Sequence, residues 1–130
     1  MIVVDASALL EVLLRTPSAG AIEERLFATG QSLHAPHLID VEVTQVLRRY
    51  VNSGAIEPAR GEAALMDLAD FPIHRYPHDM LLRRIWSLRH NLTAYDAAYV
   101  ALAEALDRPL LTRDHRLASA PGHEAKVEVV

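Results

Sequence analysis

Residues 1–4, Met-Ile-Val-Val, run straight into Asp5, and an apolar pattern at helical spacing starts directly behind it. A β-branched run without polar alternation is what a strand buried on both faces requires, and such strands occur in parallel sheets covered by helices. The unit recurs. Residues 32–35, 71–76, 110–112 and 127–130 read as further extended runs, separated by stretches of helical periodicity. Alternation of this kind predicts an α/β fold around a largely parallel sheet.

Local chemistry punctuates the pattern. Asp5 or Ser7 caps a helix carrying Leu9, Leu10, Val12, Leu13 and Leu14. Thr16-Pro17 supplies a cap and a first helical position for a second helix, which runs through Ile22 and Leu26 and stops at Gly30. Leu38, Val41, Val46, Leu47 and Tyr50 mark a third helix, with Gly54 as its stop. Another begins at Glu57-Pro58 with Ala63, Leu65, Met66 and Leu68. Pro72 and Pro77 make the run between them an edge or irregular strand. Asp79 starts a helix with Leu81, Leu82, Ile85, Trp86 and Leu88, and Thr93 starts the next. A turn or short helix follows Asp114. At 130 residues the chain fits a single domain, 1–130, with a sizeable core.

Within this frame four acids stand out. Asp5 ends the first strand, and Asp114 follows the strand 110–112 with one Arg between. Asp96 lies in the first turn of the Thr93 helix, and Glu42 sits inside the third helix between Val41 and Val43. Ligand sites in open α/β sheets gather at the carboxyl ends of strands, so the placement predicts convergence there. Carboxylates brought together repel by several kcal/mol for a close pair at an effective dielectric of about 20. A cluster of four therefore needs protons or a cation, and we read it as a Mg²⁺ or Mn²⁺ site. A pair of such ions about 4 Å apart can activate a water and stabilise a leaving oxygen in phosphodiester hydrolysis. Ser7 and Thr93, each close in sequence to a candidate ligand, are the expected outer-shell hydroxyls. Plainer readings exist: Asp5 and Asp114 as helix caps, and Thr93-x-x-Asp96 as a capping box.

Other chemistries find little support. Cysteine is absent, which removes disulfides and thiolate metal sites and suits a reducing cytosol. The seven histidines show no HExxH spacing, and no GxGxxG, GxxxxGK[ST] or GxSxG motif is present. A receiver domain needs an Asp ending a middle strand, and a dehalogenase-type phosphatase needs Asp-x-Asp where Asp5-Ala6-Ser7 stands. No signal-peptide pattern and no membrane-length apolar run are seen, so a cytoplasmic protein with no membrane association is expected. Net charge is −4, yet the acids other than the four equal the 13 Lys plus Arg. Arg48–Arg49, Arg83–Arg84 with Arg89, and Arg113 with Arg116 are local basic groups suited to phosphate or to solvated helix faces.

Taken together, MIVVDASALL, HLIDVEVTQVLRR, LTAYDAAYVALAEAL and PLLTRDHRLA resemble the PIN-domain ribonucleases, and among them the VapC-type toxins of bacterial toxin–antitoxin pairs. The likeness spans the whole chain. It implies a three-layer α/β/α sandwich with a central parallel sheet of about five strands. It also implies an endoribonuclease dependent on Mg²⁺ or Mn²⁺, a homodimer, and a cognate VapB-type antitoxin. The family's acidic quartet falls on Asp5, Glu42, Asp96 and Asp114, with Asp5 and Asp96 as direct metal ligands and Glu42 and Asp114 acting through water or as the base. Its hydroxyl position falls on Ser7 or Thr93. Some relatives carry a further acid two residues past the fourth, where this chain has Arg116, a departure that bears on a second metal position. Transfer or ribosomal RNA is the implied substrate class, with Arg113 and Arg116 as RNA contacts. The helices between residues 38 and 70 are the expected antitoxin or dimer surface. Alternatives within the fold are a housekeeping RNA-processing nuclease and a catalytically inactive PIN-like binding module.

Overall fold

The computed structural model describes all 130 residues. Five parallel strands, β1 (Ile2–Val4), β2 (Leu33–Pro36), β3 (Ile73–Tyr76), β4 (Leu110–Thr112) and β5 (Val127–Val129), form one sheet in the order β3-β2-β1-β4-β5. β1 lies at its centre, in register with β2 through Ile2 opposite Leu33 and with β4 through Val3 opposite Leu110. The fully apolar strand is thus the most enclosed one. β3, flanked by its two prolines, is an edge.

From β1 the chain steps leftward twice, through α1 (Ala6–Leu13) and α2 (Ala19–Leu26) to β2, then through α3 (Leu38–Asn52) and α4 (Pro58–Asp70) to β3. It then crosses back over the sheet. A 3-10 turn (Asp79–Leu81), α5 (Leu82–Ser87) and α6 (Ala94–Leu106) lead to β4, and α7 (His115–Ser119) leads to β5. Right-handed crossovers place the first four helices on one face and the later ones on the other, because the direction of travel reverses. Packing follows suit: α1 contacts α2, α3 and α4, whereas α6 packs on β1, β2 and β4 and against α5. Helix α6 is buried from Ala97 to Ala103 because it is clamped between the sheet and the outer α5 segment, which its run of small alanines permits.

Two expectations are revised. The second helix starts at Ala19, capped by Ser18 without a side-chain bond, so Thr16-Pro17 does not open it. The Thr16 hydroxyl is drawn instead to the Glu11 carboxylate. The helices between residues 38 and 70, expected as an assembly surface, do not offer all their apolar residues: Leu47 is 4% exposed and belongs to the core, while Leu65 is 40% exposed. Helical spacing alone cannot tell which of two stripes on an amphipathic helix faces inward.

Candidate active site

The reversal of direction between β1 and β4 leaves a crevice at the carboxyl ends of these two strands, where open sheets hold their ligands. An open cleft of about 710 Å³ occupies it, and Asp5, Glu42, Asp96 and Asp114 all line it. Four acids separated by as much as 109 positions in sequence are brought to one place by α1, α3, α6 and the β4–α7 turn.

Asp5 is the most firmly held. It is 6% exposed and caps α1. Its Oδ1 accepts the Ala8 N–H at 3.0 Å and the Ser7 hydroxyl at 2.7 Å. Its Oδ2 accepts the Thr112 hydroxyl at 2.5 Å. Ser7 in turn accepts the Arg113 N–H at 3.0 Å, and Thr112 accepts the Asp114 N–H at 3.0 Å. These two hydroxyls stitch the end of β1 to the end of β4. Ser7 was anticipated; Thr112 was not, although a threonine closing an otherwise apolar strand two residues before an acid is a legible signal.

Glu42 is half-buried on α3, and its Oε1 accepts the Tyr99 hydroxyl at 2.5 Å. Tyr99 also escaped the sequence reading, where it looks like a core aromatic. Its position three residues after Asp96 on α6 puts both on one helix face. Burial, then the neighbouring Glu42, raises the Tyr99 pKa, so the phenol stays protonated and donates. Asp96 is half-buried in the first turn of α6, whose cap Thr93 accepts the Asp96 N–H at 3.1 Å. Thr93 is exposed and does not line the cleft.

Burial is the main reason that Asp5, Glu42 and Asp96 all have raised pKa values. Their mutual repulsion adds to it: Asp96 acts on Asp5, both act on Glu42, and Asp114 acts on Asp96. Asp114 behaves oppositely. Arg116 grips it, with Nη2 at 2.8 Å from Oδ2 and Nε at 3.1 Å from Oδ1, and this bond lowers its pKa. Arg113 lines the same cleft, 3.7 Å from Glu11. No three of the acids close into a preformed metal cage. The donor set nonetheless fits a hard divalent cation: all ligand atoms are oxygens, and a charge placed among them relieves the repulsion that now favours protons.

Comparison with known proteins agrees with this fold. Residues 2–122 match the PIN domain family. Ribonuclease VapC1 of Mycobacterium tuberculosis is 47% identical over 98% of this chain and 96% of its own length. Ribonuclease VapC12 of the same organism is 42% identical over 100% of this chain and 99% of its own. The crystal structure of PAE2754 from Pyrobaculum aerophilum superposes with a TM-score of 0.71 at 26% identity, covering 99% of this chain and 83% of that one. The chain belongs to the PIN-domain family and, within it, to the VapC ribonucleases.

Proposed function

We propose that the cleft is the active centre of a metal-dependent endoribonuclease, and that the chain is the toxin of a toxin–antitoxin pair. The observation that carries this is one cleft in which three acids have their pKa values raised by burial and by one another. Asp5 and Asp96 would hold a Mg²⁺ or Mn²⁺ ion directly, and Glu42 and Asp114 would act through water or as the base. Such an ion would supply charge neutralisation for phosphate and a lowered pKa for a bound water.

The protein's own groups do the rest. Three hydrogen bonds to Asp5 keep it from rotating out of place. Tyr99 occupies one oxygen of Glu42, which leaves the other to take the proton of the attacking water. Arg113 and Arg116 line the cleft where the RNA backbone enters, and phosphate competes with Asp114 for the exposed Arg116 guanidinium. Substrate specificity is for structured RNA of the transfer or ribosomal kind, read by shape and by unpaired loops.

Assembly completes the proposal. A VapB-type antitoxin and a second copy of the chain take up exposed apolar residues such as Val41, Leu65 and Met66 on the α3–α4 pair. No helix is long and apolar enough to cross a membrane, in keeping with a cytoplasmic site of action.

The test is cleavage of RNA by purified protein in Mg²⁺, Mn²⁺ and EDTA, beside an Asp96→Asn control. Discrete products that need metal and fall at least ~100-fold in the variant are expected. Products that persist in EDTA or in Asp96→Asn exclude this centre as their source.

A further inference from the structure

The cleft extends well beyond its acids. Along α3, Val41, Glu42, Gln45, Val46, Arg49 and Tyr50 all line it, a stripe at helical spacing that runs about 12 Å from Glu42 to Tyr50. Hydrolysis of one phosphodiester does not use the far end of that stripe. Three arginines line the cleft. Arg113 stands by Glu11 and Arg116 is held by Asp114, whereas Arg49 has no carboxylate partner. Beside it Tyr50 is 39% exposed, and Tyr95, next to Asp96, is 62% exposed. Tyrosine joins an apolar ring to a polar hydroxyl, and two that both reach the surface of one charged cleft, Tyr95 the more open, form a surface for flat apolar ligands that carry negative charge.

Resting on the nuclease reading above, we propose that Arg49, Tyr50 and Tyr95 form a nucleotide subsite that takes unpaired RNA. Arg49 binds a phosphate one or more nucleotides from the scissile bond, and the two rings stack the bases that flank it. Stacking needs a base face, which a duplex hides and a single strand or loop presents. The subsite therefore selects loops over helices whatever their sequence, since every base has a face to stack.

Fluorescence anisotropy with a labelled, unstructured RNA of about 12 nucleotides tests the assignment, using the full chain carrying Asp96→Asn to prevent turnover. Tyr50→Leu and Tyr95→Leu, added singly, are expected to weaken binding about 5- to 100-fold with the salt dependence unchanged. Tyr95→Phe should restore it, because the ring remains. Arg49→Gln should lower the salt slope by about 0.7, the loss of one single-strand phosphate contact. Annealing the same RNA to its complement should weaken binding at least ~10-fold. Unchanged affinity in both leucine variants, or equal affinity for duplex, overturns the subsite and leaves the bare rings to a protein partner. Cleavage by the unsubstituted chain, run in parallel, keeps the two readings apart. Cleavage without tyrosine dependence sinks the subsite alone, while tyrosine-dependent binding without cleavage keeps the subsite and removes the nuclease. Arg49, Tyr50 and Tyr95 are all exposed, and thermal melts check that each variant folds.

Discussion

Asp5, Glu42 and Asp96 bind protons more tightly in the folded chain than in the unfolded one, and that excess sets a pH signature. An acid with a raised folded pKa stabilises the fold below its ordinary value and loses that contribution as pH rises through the raised one. Without metal, the repulsion is therefore felt most at neutral pH and above. Asp96→Asn removes one member. In EDTA it should melt about 4 °C higher than the parent at pH 8, roughly 1 kcal/mol after allowance for solvent screening. The gap should close as pH falls towards 5. A gap that stays constant across this range would show that Asp96 is not coupled to the cluster.

Tyr99 makes a second prediction at the same scale. Tyr99→Phe keeps the buried ring and deletes only the donor to Glu42. Stability should fall by about 1 kcal/mol. Mn²⁺ affinity, read by calorimetry, or kcat should fall about 10-fold, as when a ligand loses its outer partner. A change in stability alone would make the contact purely structural.

At the level of elements, the α3–α4 pair is set by a glycine. A Cβ placed on Gly61 would lie 2.7 Å from Val51 Cγ2, and a β-branched valine has little freedom to withdraw. Gly61→Ala should cost about 1–3 kcal/mol and lower Tm by several degrees, although alanine is the better helix former. A rise in Tm would mean that the two helices separate freely. Such a contact is invisible in a sequence, where Gly61 reads as a weak point in a helix. The strands, by contrast, are legible to within a residue or two, because apolar β-branched runs bounded by Asp, Pro and Gly leave few alternatives. The four acids were legible for the same reason: three sit at element junctions that the pattern itself defines. What escaped were Tyr99 and Thr112, since their partners Glu42 and Asp5 lie 57 and 107 residues away. Only the crossover that reverses the chain's direction brings them into reach. Charge pairing was also hidden. Arg84, one of the basic groups seen in sequence, is spent on Glu104 in a two-pronged bond at 2.8 Å, and Arg89 lies over the Trp86 ring at 4.6 Å.

For the whole molecule, the question is what the surface meets. Leu65 lies on the exposed side of α4, whereas Leu47 is core. Leu65→Asp should leave folding and metal binding intact and weaken capture of the cognate antitoxin or self-association, measurable by light scattering. Leu47→Asp should instead prevent folding, because a buried unpaired charge has no compensating contact. Were Leu65→Asp to assemble normally, the α3–α4 face would be excluded as the interface. Metal gives a further whole-molecule readout: at 100-fold excess over Kd it should stabilise the chain by about 2.7 kcal/mol, and EDTA should abolish the gain.

The bond from Thr112 to Asp5 joins residues 107 positions apart, and it is made across β1, the first strand, and β4, the fourth. A growing polypeptide emerges from the ribosome at roughly 5–20 residues per second, N-terminal part first. During most of that time Asp5 has no Thr112 to hold it, Glu42 has no Tyr99, and the central strand has one open side. A chain built in this order has an incomplete cleft while it is still being synthesised. Topology postpones completion of the cleft until β4 and Asp114 have been made.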